Sequence, residues 1–156
     1  MIETAQVRDR CKRRFTSLDE VLLECHALAA QPTRQLGNWS LGQVCQHLGT
    51  AMDLCTTADT LFPVPLYLRI LGPLLRKSVL ARGLPPGFRL PPEGEQLVPP
   101  PVSVEDGLAT LGAGIAALEK TSRRVPHPVF GTMTVEQWNQ FHLRHAEMHL
   151  SFILPD

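Results

Sequence analysis

The sequence predicts an all-α fold, and three observations carry that prediction. Four hydroxyl residues, Ser17, Ser40, Ser103 and Thr134, each stand where an N-cap belongs, ahead of an apolar stripe with helical spacing. No stretch alternates apolar and polar residues as a half-buried strand does. The chain has 156 residues, 44% hydrophobic and 19% charged, which fits one globular domain over residues 1–156 rather than a disordered polymer.

The elements follow in order. Ser17-Leu18-Asp19-Glu20 has the form of a capping box and opens a first helix. Leu18, Val21, Leu22, Cys25 and Leu28 form its stripe, and Pro32 stops it. Ser40, with Gln43 three residues on, opens a second helix whose apolar face runs from Val44 to Ala58. His47 lies on the flank of that face. Trp39, just before the cap, either closes one end of a bundle or walls a pocket. Leu61–Leu84 mixes prolines with a helical run and reads as a shorter helix or a broken insertion. Pro85–Pro101 holds seven of the 14 prolines and reads as a semi-rigid crossover over the surface, with no element of its own. Ser103 caps a third helix striped by Leu108, Leu111, Ile115 and Leu118, with Glu105 and Asp106 in the first turn. Gly107, Gly112 and Gly114 weaken it but allow close helix approach. A loop, Val125–Met133, carries His127, read as exposed or bonded within the loop. Thr134-Val135-Glu136-Gln137 is another capping box and starts a fourth helix, predicted to run to about Ile153 and to end at Pro155.

Charge and targeting signals narrow the function classes. Formal net charge is zero, which offers nothing to recruit nucleic acid or an anionic membrane. The short basic cluster Arg8–Arg14 reads as a solvated N-terminal arm rather than a phosphate-binding patch. The N-terminus lacks a long apolar run, so no signal peptide is expected. Prolines and cations in Leu61–Leu84 argue against a membrane span. A cytoplasmic location is the resulting expectation. Cys11, Cys25, Cys45 and Cys55 show no paired spacing and read as reduced thiols packed as small hydrophobes.

Chemistry concentrates on the fourth helix. Three of the six histidines, His142, His145 and His149, fall within about two helical turns. At about 100° per residue they share the apolar arc with Trp138, Phe141 and Phe152, while Arg144 and Glu147 point away. His145 and His149 are about 6 Å apart along the axis, a spacing able to share one metal ion. His142 and His149 are about 10.5 Å apart, too far to do so easily. The candidate pair is His145/His149, with His142/His145 second. If the second and fourth helices are neighbours, His47 converges on that pair. Three neutral imidazoles suit Zn, Ni or Fe(II) and leave coordination positions open. The competing reading is a set of hydrogen-bonded core histidines.

Three segments resemble a known group: Gly37-Asn38-Trp39-Ser40-Leu41-Gly42-Gln43-Val44-Cys45-Gln46-His47-Leu48, His127-Pro128-Val129-Phe130-Gly131, and His142 through Phe152. They resemble a bacterial family of unknown function within the DinB/YfiT-like superfamily, regarded as metalloenzymes. The resemblance implies a DinB-like four-helix bundle with a long Pro-rich crossover between helices 2 and 3. It implies a divalent metal on His47, His145 and His149. His142 is then an outer-sphere or pocket residue, or an alternative ligand. It further implies an enzyme acting on a small-molecule substrate, in which the metal activates a low-molecular-weight thiol or water. The contrasting expectation is a non-catalytic metal- or ligand-binding bundle. Homodimers are common in such bundles, and the apolar Leu61–Leu84 stretch either supplies an interface or covers one mouth of the bundle.

Overall fold

The computed structural model describes residues 2–88 and 92–156, and they are mostly helical. The helices are α1 (Leu18–Ala29), α2 (Leu41–Thr57), α3 (Leu66–Arg82), α4 (Val104–Lys120) and α5 (Val135–Leu150). The only sheet among the described residues pairs β1 (Thr33–Gln35) antiparallel with β2 (Ile153–Pro155), with Arg34 opposite Leu154. The class is therefore all-α, as the capping pattern predicts. Ser40 and Thr134 each form the full capping box: the hydroxyl accepts from the backbone N–H three residues on, and that residue's carboxamide returns the bond. Ser17 and Ser103 cap α1 and α4 through the hydroxyl alone.

Three sequence expectations are corrected. The apolar stretch is neither short nor broken: α3 is a continuous 17-residue helix with Pro73 inside it. Proline removes one helical hydrogen bond. Pro73 and Arg69, the residue one turn earlier, are both exposed, so the lost bond falls on the outer face of α3. The Pro-rich segment is not element-free, because Pro92–Leu97 winds into a 3-10 turn. The last helix stops at Leu150: Ser151 and Phe152 turn the chain, and Ile153 begins β2. A three-residue ladder is too short to show alternation, and its partner strand lies far away in sequence. The peptide N–H of Leu36 donates to the Phe152 carbonyl at 2.8 Å beside the ladder, anchoring the entry to α2.

The tightest packing is between α2 and α4. Gly42 and Gly49 lie seven residues apart on α2, and Gly107 and Gly114 lie seven apart on α4, so each pair repeats on one face. A Cβ on Gly42 would sit 2.6 Å from the Ser103 carbonyl oxygen. One on Gly49 would strike the Thr110 carbonyl, and ones on Gly107 and Gly114 would strike the carbonyls of Gly42 and Gly49. Main chain thus meets main chain along the whole seam. Gly112, also expected at a close approach, faces open space. The other side of α2 buries Val44, Cys45, Leu48, Met52 and Cys55 in the core with Leu111, Ile115, Trp138 and Leu150.

The basic arm is solvated only in part: Arg8, Lys12 and Arg14 are exposed, while Arg10 and Arg13 pack against the chain. Arg13 donates to Glu24 at 2.7 Å, to the Ile153 carbonyl at 2.9 Å and to the Leu150 carbonyl. Arg10 donates to the Ser151 hydroxyl at 2.8 Å and lies over the Phe152 ring. The arm thus places cations on the orphan carbonyls at the C-terminus of α5, where the helix dipole favours them. α3 packs inward through Gly72, whose Cα touches the Val129 region, and through Leu80, while Leu66, Tyr67, Ile70, Leu71, Leu74 and Leu75 face outward. No described helix is long and apolar enough to cross a membrane.

The seam gives a paired prediction. Gly49→Ala forces a methyl into the Thr110 carbonyl and lowers stability by about 3 kcal/mol. Gly112→Ala on the open face raises it by about 0.5–1 kcal/mol through helix propensity. Urea denaturation of the two variants reads the contrast, and equal effects would disprove main-chain contact at the seam.

Candidate metal centre

The centre is built from two helices and one turn. α2 presents His47 toward α5, which presents His145 and His149 one turn apart. The Nε2 atom of His145 lies 3.1 Å from that of His47 and 3.0 Å from that of His149. One ligand atom from each of the three falls within 4.8 Å of the others, so the group could hold a metal ion. Ligands at 2.0–2.1 Å from a tetrahedral zinc stand about 3.3 Å apart, close to the two edges seen.

The proton positions follow from one carbonyl. His47 Nδ1 lies 2.6 Å from the Leu97 carbonyl oxygen, at the end of the 3-10 turn. A carbonyl only accepts, so Nδ1 carries the hydrogen and Nε2 presents its lone pair to the other two rings. Burial holds His47 neutral, its pKa pushed down to about 4. His145 and His149 are lowered too, first by desolvation and then by neighbouring imidazoles. The Nδ1 atom of His145 is buried with no partner among the described residues. Trp39 stacks on His149 with centroids 5.2 Å apart and planes 14° apart, and Phe141 stacks on His145. Trp39 thereby walls the centre.

The remaining candidates are placed elsewhere. His142 is 1% exposed, stacks on Trp138 and has its Nε2 atom 3.4 Å from the Cys55 sulfur. It is outside the three-histidine group. His127 is not exposed: its Nδ1 accepts from the Val129 and Phe130 peptides, each at 3.1 Å, and its ring packs on Phe130 and Phe141. That fixes the loop. All four cysteines are free, with Cys25, Cys45 and Cys55 buried. The facing Cys45 thiol and then burial push Cys25 up, and burial raises Cys55 to about 11. Glu147 does turn away from the histidines, yet both it and Arg144 are buried rather than solvated. Its carboxylate accepts from the Phe15 peptide at 2.8 Å and pairs with Arg144 at 3.0 Å. Nothing in the sequence marks Leu97, because a carbonyl has no side-chain signature.

The chain belongs to a family described as proteins of unknown function, DUF1569, whose model matches residues 7–156. Neither the curated proteins nor the solved structures compared with it give a match.

The buried imidazoles set a pH dependence. Burial pushes both His127 and His142 down to about 3, against an unfolded value near 6.5. Below pH 6.5 the unfolded chain takes up protons that the folded chain refuses, so stability falls as pH drops toward 3. The slope is about 1.4 kcal/mol per pH unit for each proton. Urea titrations of metal-free protein between pH 7 and pH 4 check this, and a flat profile would contradict the buried neutral rings.

Proposed function

We propose, for this member of a family without an assigned activity, a divalent-metal enzyme with its ion on His47, His145 and His149. The carrying observation is the convergence of three Nε2 atoms with edges of 3.1 and 3.0 Å, one lone pair fixed by the Leu97 carbonyl. Two imidazole lone pairs at that separation repel unless a proton or a cation lies between them. A cation satisfies all three rings at once and leaves their Nδ1 atoms as donors, the form His47 already has. Neutral nitrogen ligands suit Zn, Ni or Fe.

The bound metal would supply Lewis acidity, lowering the pKa of a coordinated low-molecular-weight thiol or water. The chain's part is positional. α2 and α5 hold the ligands from two sides, Trp39 and Phe141 wall the rings, and three protein ligands leave room for a small-molecule substrate. Glu147 supplies no base here, being tied to Phe15, Arg14 and Arg144 on the opposite face of α5. In this reading α1, α2, α4 and α5 are the four helices of a DinB-like bundle, and residues 58–103 are its long crossover. Its setting is the cytoplasm, where the four thiols stay reduced.

A second reading, a metal- or ligand-binding bundle without turnover, draws on one observation: the three-residue group contains no carboxylate to move a proton.

Metal content of protein purified without a histidine tag separates these readings from a plain histidine core. Stoichiometric metal is expected in the wild type and in His142→Ala. A loss of at least tenfold in affinity is expected in His145→Ala. Metal-free wild type, or unchanged affinity in His145→Ala, sinks the metal centre. With metal present, turnover of electrophiles with low-molecular-weight thiols supports the enzyme, and its absence across thiol and hydrolytic screens supports the passive binder.

A further inference from the structure

A cavity lies on the side of α5 turned away from the histidines. It is a half-open concavity of about 620 Å³ between α3 and α5. Arg14, Arg76, Lys77 and Arg144 line it together with the carboxamides of Gln137 and Gln140. Four cations therefore meet in one concavity of a chain whose formal net charge is zero. The excess continues along the sequence: from residue 60 to residue 92 there are five cations and no acid.

Arg144 is the decisive residue. It is only 5% exposed, and its Nη2 is used by the Phe15 carbonyl at 2.8 Å and by Glu147 at 3.0 Å. Its Nε and Nη1 are buried with no partner among the described residues. A buried guanidinium with two nitrogens unmet is costly, and an oxyanion in the concavity is the group that answers its charge. Glu147 does not balance the remaining charge. Its one carboxylate is shared among Arg144, Arg14 at 3.5 Å and the Phe15 peptide. Lys77 is exposed at the rim and has no hydrogen bond or ion pair among the described residues. Arg76 is held in place through Nη1 by the Phe130 and Thr132 carbonyls at 3.4 and 2.6 Å. Pro73, Leu80 and Ala81 add an apolar wall.

We infer that this cavity binds a phosphate group, with Arg144 at its floor and Lys77 at its rim. The phosphate belongs to a free solute or to a lipid headgroup, and the experiment distinguishes the two. Thermal denaturation is followed against inorganic phosphate at constant ionic strength, and sedimentation is followed with phosphatidylglycerol–phosphatidylcholine vesicles. Three variants accompany the wild type. Lys77→Glu and Gln140→Glu alter exposed cavity residues, while Arg82→Glu makes the same charge change as Lys77→Glu on α3 outside the cavity. The expected result is saturable binding, weakened at least tenfold by Lys77→Glu and Gln140→Glu and less than twofold by Arg82→Glu. That pattern with inorganic phosphate assigns a free solute, and with vesicles alone it assigns a headgroup. Absence of saturable binding to either probe overturns the inference. So does equal weakening by Lys77→Glu and Arg82→Glu, because the attraction would then be diffuse charge rather than a site.

Discussion

Main-chain contact between α2 and α4 is the constraint from which the rest of the molecule follows. Four glycines let two helices approach until carbonyl oxygens fill the space of the missing Cβ atoms. That closeness has two effects. It gains dispersion and Cα–H···O contacts that larger residues would prevent. It also fixes the rotation of α2 about its axis, because only one face carries glycines. With that face committed to α4, His47 must turn toward α5. The direction of the site is thus set by residues that take no part in it.

α5 then serves two unlike environments. One face packs aromatic rings and imidazoles, where desolvation keeps every histidine neutral. The other face carries Arg144 and Glu147, buried under the N-terminal arm and held by main-chain groups of Phe15. A charged pair so placed costs desolvation energy, which hydrogen bonds from the arm offset. The arm in turn is pinned by Arg13, which bridges α1 to the end of α5. The N-terminal arm and α2 are thus tied to this helix by polar contacts as well as by apolar packing.

Local features were legible in the sequence, and distant ones were not. The boxes at Ser40 and Thr134 are complete within four residues, so composition alone reveals them. The His145/His149 pair is legible for the same reason, as one turn of one helix. His47 required knowing which helices are neighbours, and the resemblance supplied it. The β1–β2 ladder joins segments more than a hundred residues apart, and three residues carry no period. The continuity of α3 was hidden because Pro73 reads as a helix breaker, whereas its lost hydrogen bond falls on an exposed face of the helix. The buried state of Arg13, Arg144 and Glu147 was hidden because charge points to solvent until a partner is known. Gly112 was grouped with Gly107 and Gly114 by spacing on the chain, whereas only the seven-residue repeat selects the seam.

The bond from His47 to Leu97 has a consequence for how this chain tolerates change. The acceptor is a peptide oxygen, which every amino acid carries, so selection at that point acts on chain path rather than on residue type. Any apolar side chain that fills the small buried space of Leu97 preserves the acceptor. Lengthening or shortening the connection before the Ser103 cap does not, since it slides the oxygen away from the ring. The composition of this connection is therefore free to change, whereas the length of its final approach, from the 3-10 turn to α4, is not.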